Sequence, residues 1–390
     1  MRGRGVESVK DTFLLRKNIF ALTKFYKRLY NWIKYEEIIW VVNTKERKMI
    51  RIQDIADMAG VSRTTVSNVI RGNTKRVSQE TIDRITKILE EQNYVPNMAS
   101  MSLTGNVSKI IGLVTYHKVH GMHATQDTFV GELLGTIENE IRKRGYYLML
   151  ISAETHQEVV SIASSWNMDG LIVLGYTEKE YNKLRKKLNK KMILIDTYPD
   201  NEYTFQNVGV DDFDGGYQVG KYLCECGYTK ALFLAEMTRG SDWCRWKGFK
   251  KAMEEAGEVC NEDRYIVIGK GQMMRVRQYE RMMPKFIEAK ALAFSSDFNA
   301  VEAMSIFWDM GYKVPDDVSV VGFDDNIYAT LIRPKLTTVR QDVEEKGITV
   351  VNRLIRMIDG EELPEMCVRN KVTLIKRDSV KEPHVQCVQN

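Results

Sequence analysis

Cysteine is scarce in this sequence and shows no pairing. Six cysteines occur in 390 residues, and none has the spacing of a disulfide frame. Cys224-Glu225-Cys226 is too tight for the usual zinc knuckle, and no second pair lies near it. The expectation is reduced thiols, as in a cytoplasmic protein. Five scattered histidines form no metal-ligand spacing. No run of about 18 apolar residues is present, so no membrane-spanning helix is expected. The common enzyme motifs are missing too. There is no GxSxG elbow, no Walker loop and no HExxH, and Gly269-Lys270-Gly271 lacks the third glycine of a dinucleotide loop. Nothing here nominates a catalytic residue, a cofactor or a metal, and the chain reads as a non-enzyme.

Charge is small and uneven. The formal net charge is +5, but residues 1–48 alone carry +7, from twelve Lys/Arg against five Asp/Glu. Residues 49–105 carry only +1, so any nucleic-acid affinity there must come from placed contacts and dimerisation rather than bulk charge.

The length suggests two or three domains, and a hydrophobic fraction of 44% is enough for sizeable cores. The chain is organised around residues 52–73, IQDIADMAGVSRTTVSNVIRGN. Ile52, Ile55 and Ala56 share a helical face. Ala59-Gly60-Val61 breaks the period, and Gly60 suits a tight turn with positive φ. Ser62 can cap a second helix from Arg63 to about Ile70, with Val66, Val69 and Ile70 inward and Arg63, Thr64, Ser67 and Asn68 largely outward. Two short helices joined by a glycine turn form a helix-turn-helix unit, whose second helix enters the DNA major groove. Ser78 can cap a third helix, Gln79 to about Gln92, with Ile82, Ile85 and Leu89 inward.

DIADMAGVSRTTVSNVI, then RVSQETIDRI, then NYVPN and Leu103, resemble the headpiece and hinge of the LacI/GalR family of bacterial regulators. The resemblance covers about 49–379. It implies DNA contacts by Arg63, Thr64, Thr65, Ser67 and Asn68, by Asn97, and by Leu103 as a minor-groove wedge in the hinge. Ser100 and Met101 depart from the family's usual hinge residues, and Met101 removes a phosphate contact.

From Lys109 the pattern changes to strands alternating with helices. Ile110–Val114, Tyr146–Ser152, Asp169–Leu174 and Lys191–Asp196 are strand-like, and Thr128–Arg144 is helical. The pattern restarts after Val208 with VGVDDFDGGYQVGKYL, read as a strand end, a Gly-Gly turn and a helix. Later helices are expected at Arg245–Ala256 and Asn299–Met310. The expected fold is a small all-α helix-turn-helix headpiece plus an α/β periplasmic-binding-protein-like core of two doubly wound parallel-sheet subdomains. The expected boundaries are a headpiece at 49–96, a hinge at 97–107, and a core at 108–379. Within the core, 108–208 with 343–368 form one subdomain and 209–339 with 369–379 the other, followed by a tail at 380–390. The chain is expected to cross back to the first half near Pro334–Thr338.

Ligands of open α/β sheets bind at the carboxyl ends of strands. Tyr116, Asp196, Ser296, Asp297, Asp324 and Gln341 lie at or near such ends, and Arg245 begins a helix. The resemblance maps effector contacts onto Asp196, Arg245, Ser296, Asp324 and Gln341. Arg245 and Asp324 are expected to face each other across the cleft. Carboxylates, an arginine and an amide suit a hydroxyl-rich ligand, and Tyr116, Trp243, Phe298 or Tyr328 could stack on a ring. Structural roles compete: Asp297 as a helix cap, Asp325 as a turn holder, Arg245 as a salt-bridge partner. Ser296 stands where the family commonly has Asn, which leaves nucleosides and other small polar ligands open beside a sugar.

Residues 1–48 lie outside the match. The basic aromatic stretch Lys24–Trp40 could be a helix touching DNA or membrane. The preferred reading is that the segment is untranslated and the protein starts at Met49. The chain is thus expected to be a ligand-responsive repressor of a sugar uptake or catabolism operon, cytoplasmic and nucleoid-associated. Its partners are operator DNA, a small polar effector and a second copy of itself. Val380–Asn390 has no leucine, so no tetramerising heptad is expected. The alternative is a regulator whose DNA binding is strengthened by a co-repressor metabolite or phosphocarrier protein.

Overall fold

The computed structural model describes residues 50–382, apart from residues 71, 95–106, 117, 121 and 200, and the chain divides into two compact units after Asn97. The extension 1–48, Asn97, Leu103 and most of the expected hinge therefore lie outside the described residues.

In the first unit, α1 (Ile52–Ala59) ends at Gly60, whose φ of 63° and ψ of 36° are left-handed, as the glycine turn requires. α2 (Arg63–Ile70) is started by Ser62, whose Oγ accepts the Thr65 N–H at 3.1 Å. α3 (Gln79–Glu91) is capped by Ser78, which accepts from the Thr81 N–H. Ile55, Ala56, Ala59, Val66 and Ile85 form a small closed core, with Val69, Ile70, Ile88 and Leu89 packed on its edge. Ile55, Val66 and Ile85 each contribute roughly 1.5–3 kcal/mol by burial, and that sum holds three short helices which would be marginal alone.

The second unit has two six-stranded sheets. In chain order its elements are β1 (Ile110–Tyr116), the short hairpin β2 (Lys118–Val119) and β3 (Met122–His123), α4 (Thr128–Lys143), β4 (Tyr147–Ala153), α5 (His156–Ser165), β5 (Gly170–Leu174), α6 (Glu178–Arg185), β6 (Lys191–Ile195) and β7 (Asn207–Val210). Then come α7 (Asp212–Glu225), β8 (Leu232–Ala235), α8 (Gly240–Glu255), β9 (Tyr265–Val267), α9 (Gln272–Ala289), β10 (Ala291–Phe294), α10 (Asp297–Asp309), β11 (Ser319–Asp324), α11 (Ile327–Leu331), β12 (Thr337–Gln341), α12 (Val343–Ile358), β13 (Cys367–Asn370) and β14 (Val372–Ile375). The first sheet has the order β13-β7-β6-β5-β1-β4 and is parallel throughout. The second has the order β14-β12-β11-β10-β8-β9, with β14 antiparallel to β12. That edge strand departs from the expected all-parallel sheet, because β14 follows β13 after a single residue and enters the second sheet from the side.

The chain passes between the halves three times, after Val210, Gln341 and Asn370. These points fall slightly beyond the expected boundaries at 208, 339 and 368. Pro334–Thr338 is not a crossing: Thr337 already opens β12 in the second sheet. The backbone N–H of Asp211 donates to the Asn370 carbonyl at 3.0 Å, tying two of the crossovers together. Ser379 and Lys381, near the end of the described residues, belong to the core as well. Ser379 is fully buried, donates to the Val320 carbonyl and accepts the Thr337 N–H, and Lys381 N–H donates to Ser319 Oγ.

Gly215-Gly216 is not a turn. Both lie inside α7, and the reason is packing against α8. A Cβ at Gly216 would sit 1.8 Å from the Arg245 carbonyl oxygen, and one at Gly248 would sit 1.8 Å from the Phe213 carbonyl oxygen. The glycines let two helix backbones touch. Gly216→Ala should therefore cost about 3 kcal/mol in chemical denaturation, overpacking outweighing a helix-propensity gain of about 1 kcal/mol. Gly131→Ala, in α4 with open space around it, should be neutral or stabilising. Equal stabilities for the two variants would contradict the close approach.

Candidate functional site

The candidate nucleic-acid face lies on α2. Val66 is buried, which turns Arg63 and Thr64 to solvent and leaves Ser67 and Asn68 half-buried. Thr65 is half-buried, and its hydroxyl is engaged by Ser62 Oγ at 2.8 Å, so it supports the helix start. Arg63 and Thr64 thus occupy the exposed first turn, the part of a recognition helix that reaches base edges.

In the second unit the carboxyl ends of both sheets carry one connected set of polar side chains. Asp196 follows β6, with a left-handed φ of 52°. Its carboxylate accepts from Lys346 Nζ at 3.0 and 2.9 Å. Lys346 lies on α12 and is fully buried. It also donates to Gln341 Oε1 at 2.8 Å, and Gln341 Nε2 donates to Asp324 Oδ1 at 2.7 Å. Asp196 and Lys346 belong to the first half, Gln341 and Asp324 to the second, so the chain of bonds crosses between them. Asp324 has a φ of 125° and Asp325 one of 56°, two consecutive residues in backbone regions that L side chains rarely adopt.

Arg245 does not begin a helix; it lies in the second turn of α8, which starts at Gly240. Nor does it face Asp324 across the cleft, because both residues belong to the second half. Its Nε donates to Asp212 Oδ1 at 2.7 Å, its Nη1 to the Ser295 carbonyl, and its guanidinium lies 3.5 Å over the Phe323 ring. In this geometry Arg245 is a salt-bridge partner within the second half. Asp212, Asp324 and Asp242 keep it charged against the burial that opposes it.

The other expected positions divide. Ser296 caps α10, its Oγ accepting the Asn299 N–H at 3.3 Å. Asp297 is not that cap. It is completely buried, accepting from Thr338 Oγ1 and from the Asn326 N–H at 2.9 Å, and it clamps β12 and the loop after β11. Asp325 pairs with Arg340 and Arg377 and holds its turn. Trp243 packs edge-on against Tyr265 in the core. Tyr116 ends β1, and its side chain is outside those described.

Four residues that carry much of the cleft have no place among the sequence candidates. Lys346 sits on the apolar stripe of α12 among Val343, Gly347, Val350, Val351 and Leu354, and a charge on such a stripe is a readable signal. Glu236 and His120 lie in short connections with no period to expose them, and Asp212 opens α7 with nothing local to mark its partner Arg245. His120, from the β2–β3 hairpin of the first half, stacks on Phe298 of the second half, with centroids 4.9 Å apart and planes at 15°. Its Nδ1 lies 2.6 Å from Glu236 Oε1. Two buried acceptors in this region have no protein partner: Asp212 Oδ2 and Asn299 Oδ1. No His/Cys/Asp/Glu cluster suited to a metal is found among the described residues.

Burial pushes the carboxyls of Asp297 and Asp324 well above the ordinary carboxylate range, and the charge of Asp324 on Asp297 and of Asp127 on Asp324 adds to it. A carboxyl whose folded-state pKa is raised holds its proton more tightly when folded. Its stabilising contribution is complete below the unfolded pKa of about 4 and is lost as pH rises toward the raised value. Asp297→Asn keeps an acceptor for Asn326 and offers a donor to Thr338 Oγ1 without the charge. Relative to the parent, this variant should gain up to about 1.4 kcal/mol per pH unit as pH rises from acid through neutrality. Parallel stability curves for the two proteins would refute the buried protonated carboxyl.

Residues 51–97 match the model of the bacterial regulatory proteins of the lacI family, and residues 221–380 match that of the periplasmic binding protein-like domain. The HTH-type transcriptional repressor PurR of Histophilus somni strain 129Pt is 31% identical over 344 residues, which cover 85% of this chain and 99% of the relative. PurR of Erwinia tasmaniensis is also 31% identical, over 343 residues, covering 86% of this chain and 98% of the relative. Among solved structures, the lac repressor dimer bound to operator and the anti-inducer ONPF superposes with a TM-score of 0.73 at 22% identity, over 85% of this chain and 99% of that one. The complex of the transcriptional regulator CelR with cellobiose gives 0.64 at 22%, over the same shares. With the three-helix headpiece, the paired sheets and a relative matched along nearly its whole length, this chain belongs to the LacI family of bacterial regulatory proteins.

Proposed function

We propose that this protein is a dimeric repressor whose operator affinity is set by a small, donor-rich effector, a sugar in the first instance, and that it acts by binding without catalysis. The observation that carries the effector class is the pair of unpartnered buried acceptors, Asp212 Oδ2 and Asn299 Oδ1. A buried acceptor without a donor costs about 1–3 kcal/mol, and a ligand bearing hydroxyl or N–H groups recovers that energy on binding. Cellobiose in one structural neighbour and ribose in another, a regulator from Enterococcus faecium, are ligands of that kind. The regulated operon is then one of sugar uptake or catabolism, and the protein works in the cytoplasm, on the nucleoid. Control follows from linkage: an effector that prefers one arrangement of the two halves changes operator affinity by its ratio of affinities for the two states.

Two copies are proposed to act together on a pseudo-palindromic operator, as in the neighbour described as a dimer on its operator. Trp308 on α10, with Ile327 and Leu331 on α11, leave large apolar surfaces in water that a second copy would cover. Arg63, Thr64, Ser67 and Asn68 are proposed to read bases, with Thr65 supporting them. Asp196, Gln341 and Asp324 are proposed to frame the effector site, and Asp212 to touch the ligand directly.

Arg63→Ala should lose base preference at one symmetric pair of operator positions, a loss of roughly 1–3 kcal/mol of discrimination. Selection from a randomised DNA pool reads this directly, and an unchanged consensus would sink the assignment. For the effector, operator binding can be followed by fluorescence anisotropy against a panel of monosaccharides, disaccharides and nucleosides. Asp212→Asn keeps the acceptor for Arg245 and replaces the free oxygen by a donor. It should weaken the response to the active compound at least roughly tenfold, with operator affinity retained. A response at unchanged concentration would remove Asp212 from the site.

A further inference from the structure

We infer that His120 is a tethered occupant of a ring subsite in the effector cleft. The subsite is built by Phe298, Glu236 and Asn299 for a flat ligand group with hydrogen-bond donors on its edge. This rests on reading the cleft as the effector site.

The subsite stands without the histidine. Phe298, Glu236 and Asn299 all belong to the second half, and Arg275 lies beside Glu236 and Phe298. Arg275 is almost fully buried and donates from Nη2 to Glu302 Oε1 at 2.9 Å and from Nη1 to the Gly269 carbonyl at 3.2 Å. It lies 3.8 Å from Glu236 Oε1, and its guanidinium is 5.7 Å from the Phe298 ring centre. Asn299 is completely buried, and its Nδ2 lies 3.4 Å from the same Glu236 oxygen. Its Oδ1 has no protein partner. A preset aromatic wall, a carboxylate and an unpartnered amide oxygen together describe a place for a flat group with at least two donors.

His120 fills that description from the other half. It lies flat on Phe298, with a ring nitrogen on Glu236, and its left-handed φ of 52° is the one a tight hairpin turn uses. The charged groups around the ring are Glu236, Asp127 at 3.7 Å, Asp324, and Arg275 behind Glu236. Three carboxylates against one guanidinium favour a cationic or donor-rich ring and disfavour a phosphorylated one. Burial opposes the charged imidazole, but the Glu236 hydrogen bond and the charges of Glu236, Asp127 and Asp324 outweigh it and leave the pKa raised. The link between halves is therefore strongest below pH about 6.5 and fades as pH rises through the raised value. A ligand that takes the subsite must expel His120 and replace a bond within the chain by its own.

Chemical rescue tests this on the full chain. Glycine tolerates the left-handed backbone, so His120→Gly should fold and leave the subsite open. Free imidazole is the probe. Calorimetry and thermal shift should show imidazole binding to the variant roughly tenfold or more tighter than to the parent, and tighter at pH about 6 than at pH about 8. Adding Glu236→Gln should abolish it. A folded, operator-competent variant that ignores imidazole overturns the inference. Should His120→Gly fail to fold, NMR titration of the parent decides the matter. One histidine with a raised pKa that falls in Glu236→Gln supports the subsite, and ordinary pKa values for all five histidines overturn it. The effector panel distinguishes the two readings. Imidazole rescue with no compound altering operator binding leaves the ring subsite standing and defeats the effector assignment; an effector response without rescue does the reverse.

Discussion

A buried ammonium group holds the two halves of the core in register. Lys346 is fully buried, and an unpaired ammonium there would cost several kcal/mol. Its three acceptors, both oxygens of Asp196 and the amide oxygen of Gln341, lie in two different halves. Asp196 offsets the desolvation of the charge within the first half, and the bond to Gln341 ties the ammonium to the second. The rest of the cleft follows: Gln341 is oriented by Lys346 and in turn orients Asp324, whose strained backbone needs such support. The mouth of the cleft has its own connection, the stack and hydrogen bond of His120 on the opposite half.

Packing and charge are coupled at the second half's floor. Gly216 and Gly248 let α7 and α8 meet backbone to backbone, and this contact puts the first residue of α7, Asp212, within 2.7 Å of Arg245. A side chain at either glycine would separate the pair and leave a guanidinium and a carboxylate buried apart, an arrangement costing about 3–5 kcal/mol. Two residues without side chains therefore position the most polar pair of the site.

What is legible in the sequence follows from how local each signal is. Gly60, Ser62 and Ser78 act on their own turn or cap, so the three headpiece helices can be read from spacing alone. The strand–helix alternation is equally local, and it announces both sheets. Gly215-Gly216 misleads because two glycines carry the same signal for a tight turn and for close helix packing, and only the partner helix distinguishes them. Arg245 and Asp324 share one wall of the cleft, and a strand end tells that a residue reaches the cleft, not which half it belongs to. Asp297 resembles a helix cap by position, yet the cap is Ser296 beside it, one residue earlier. His120 has no signal: a short hairpin between a strand and a helix has no period, and its partner Glu236 lies more than a hundred residues away.

The last strands have a consequence for synthesis. β13 completes the first sheet and β14 the second, and Ser379 stitches the very end of the described chain under β11 and β12. Neither half can close its hydrogen-bonded edge until the ribosome has released the C-terminal segment. The headpiece has no such dependence, since its core draws only on residues before Asn97. Translation therefore presents a finished DNA-reading module first and an unfinished ligand sensor behind it, and a premature stop anywhere before β13 leaves the reader without its sensor.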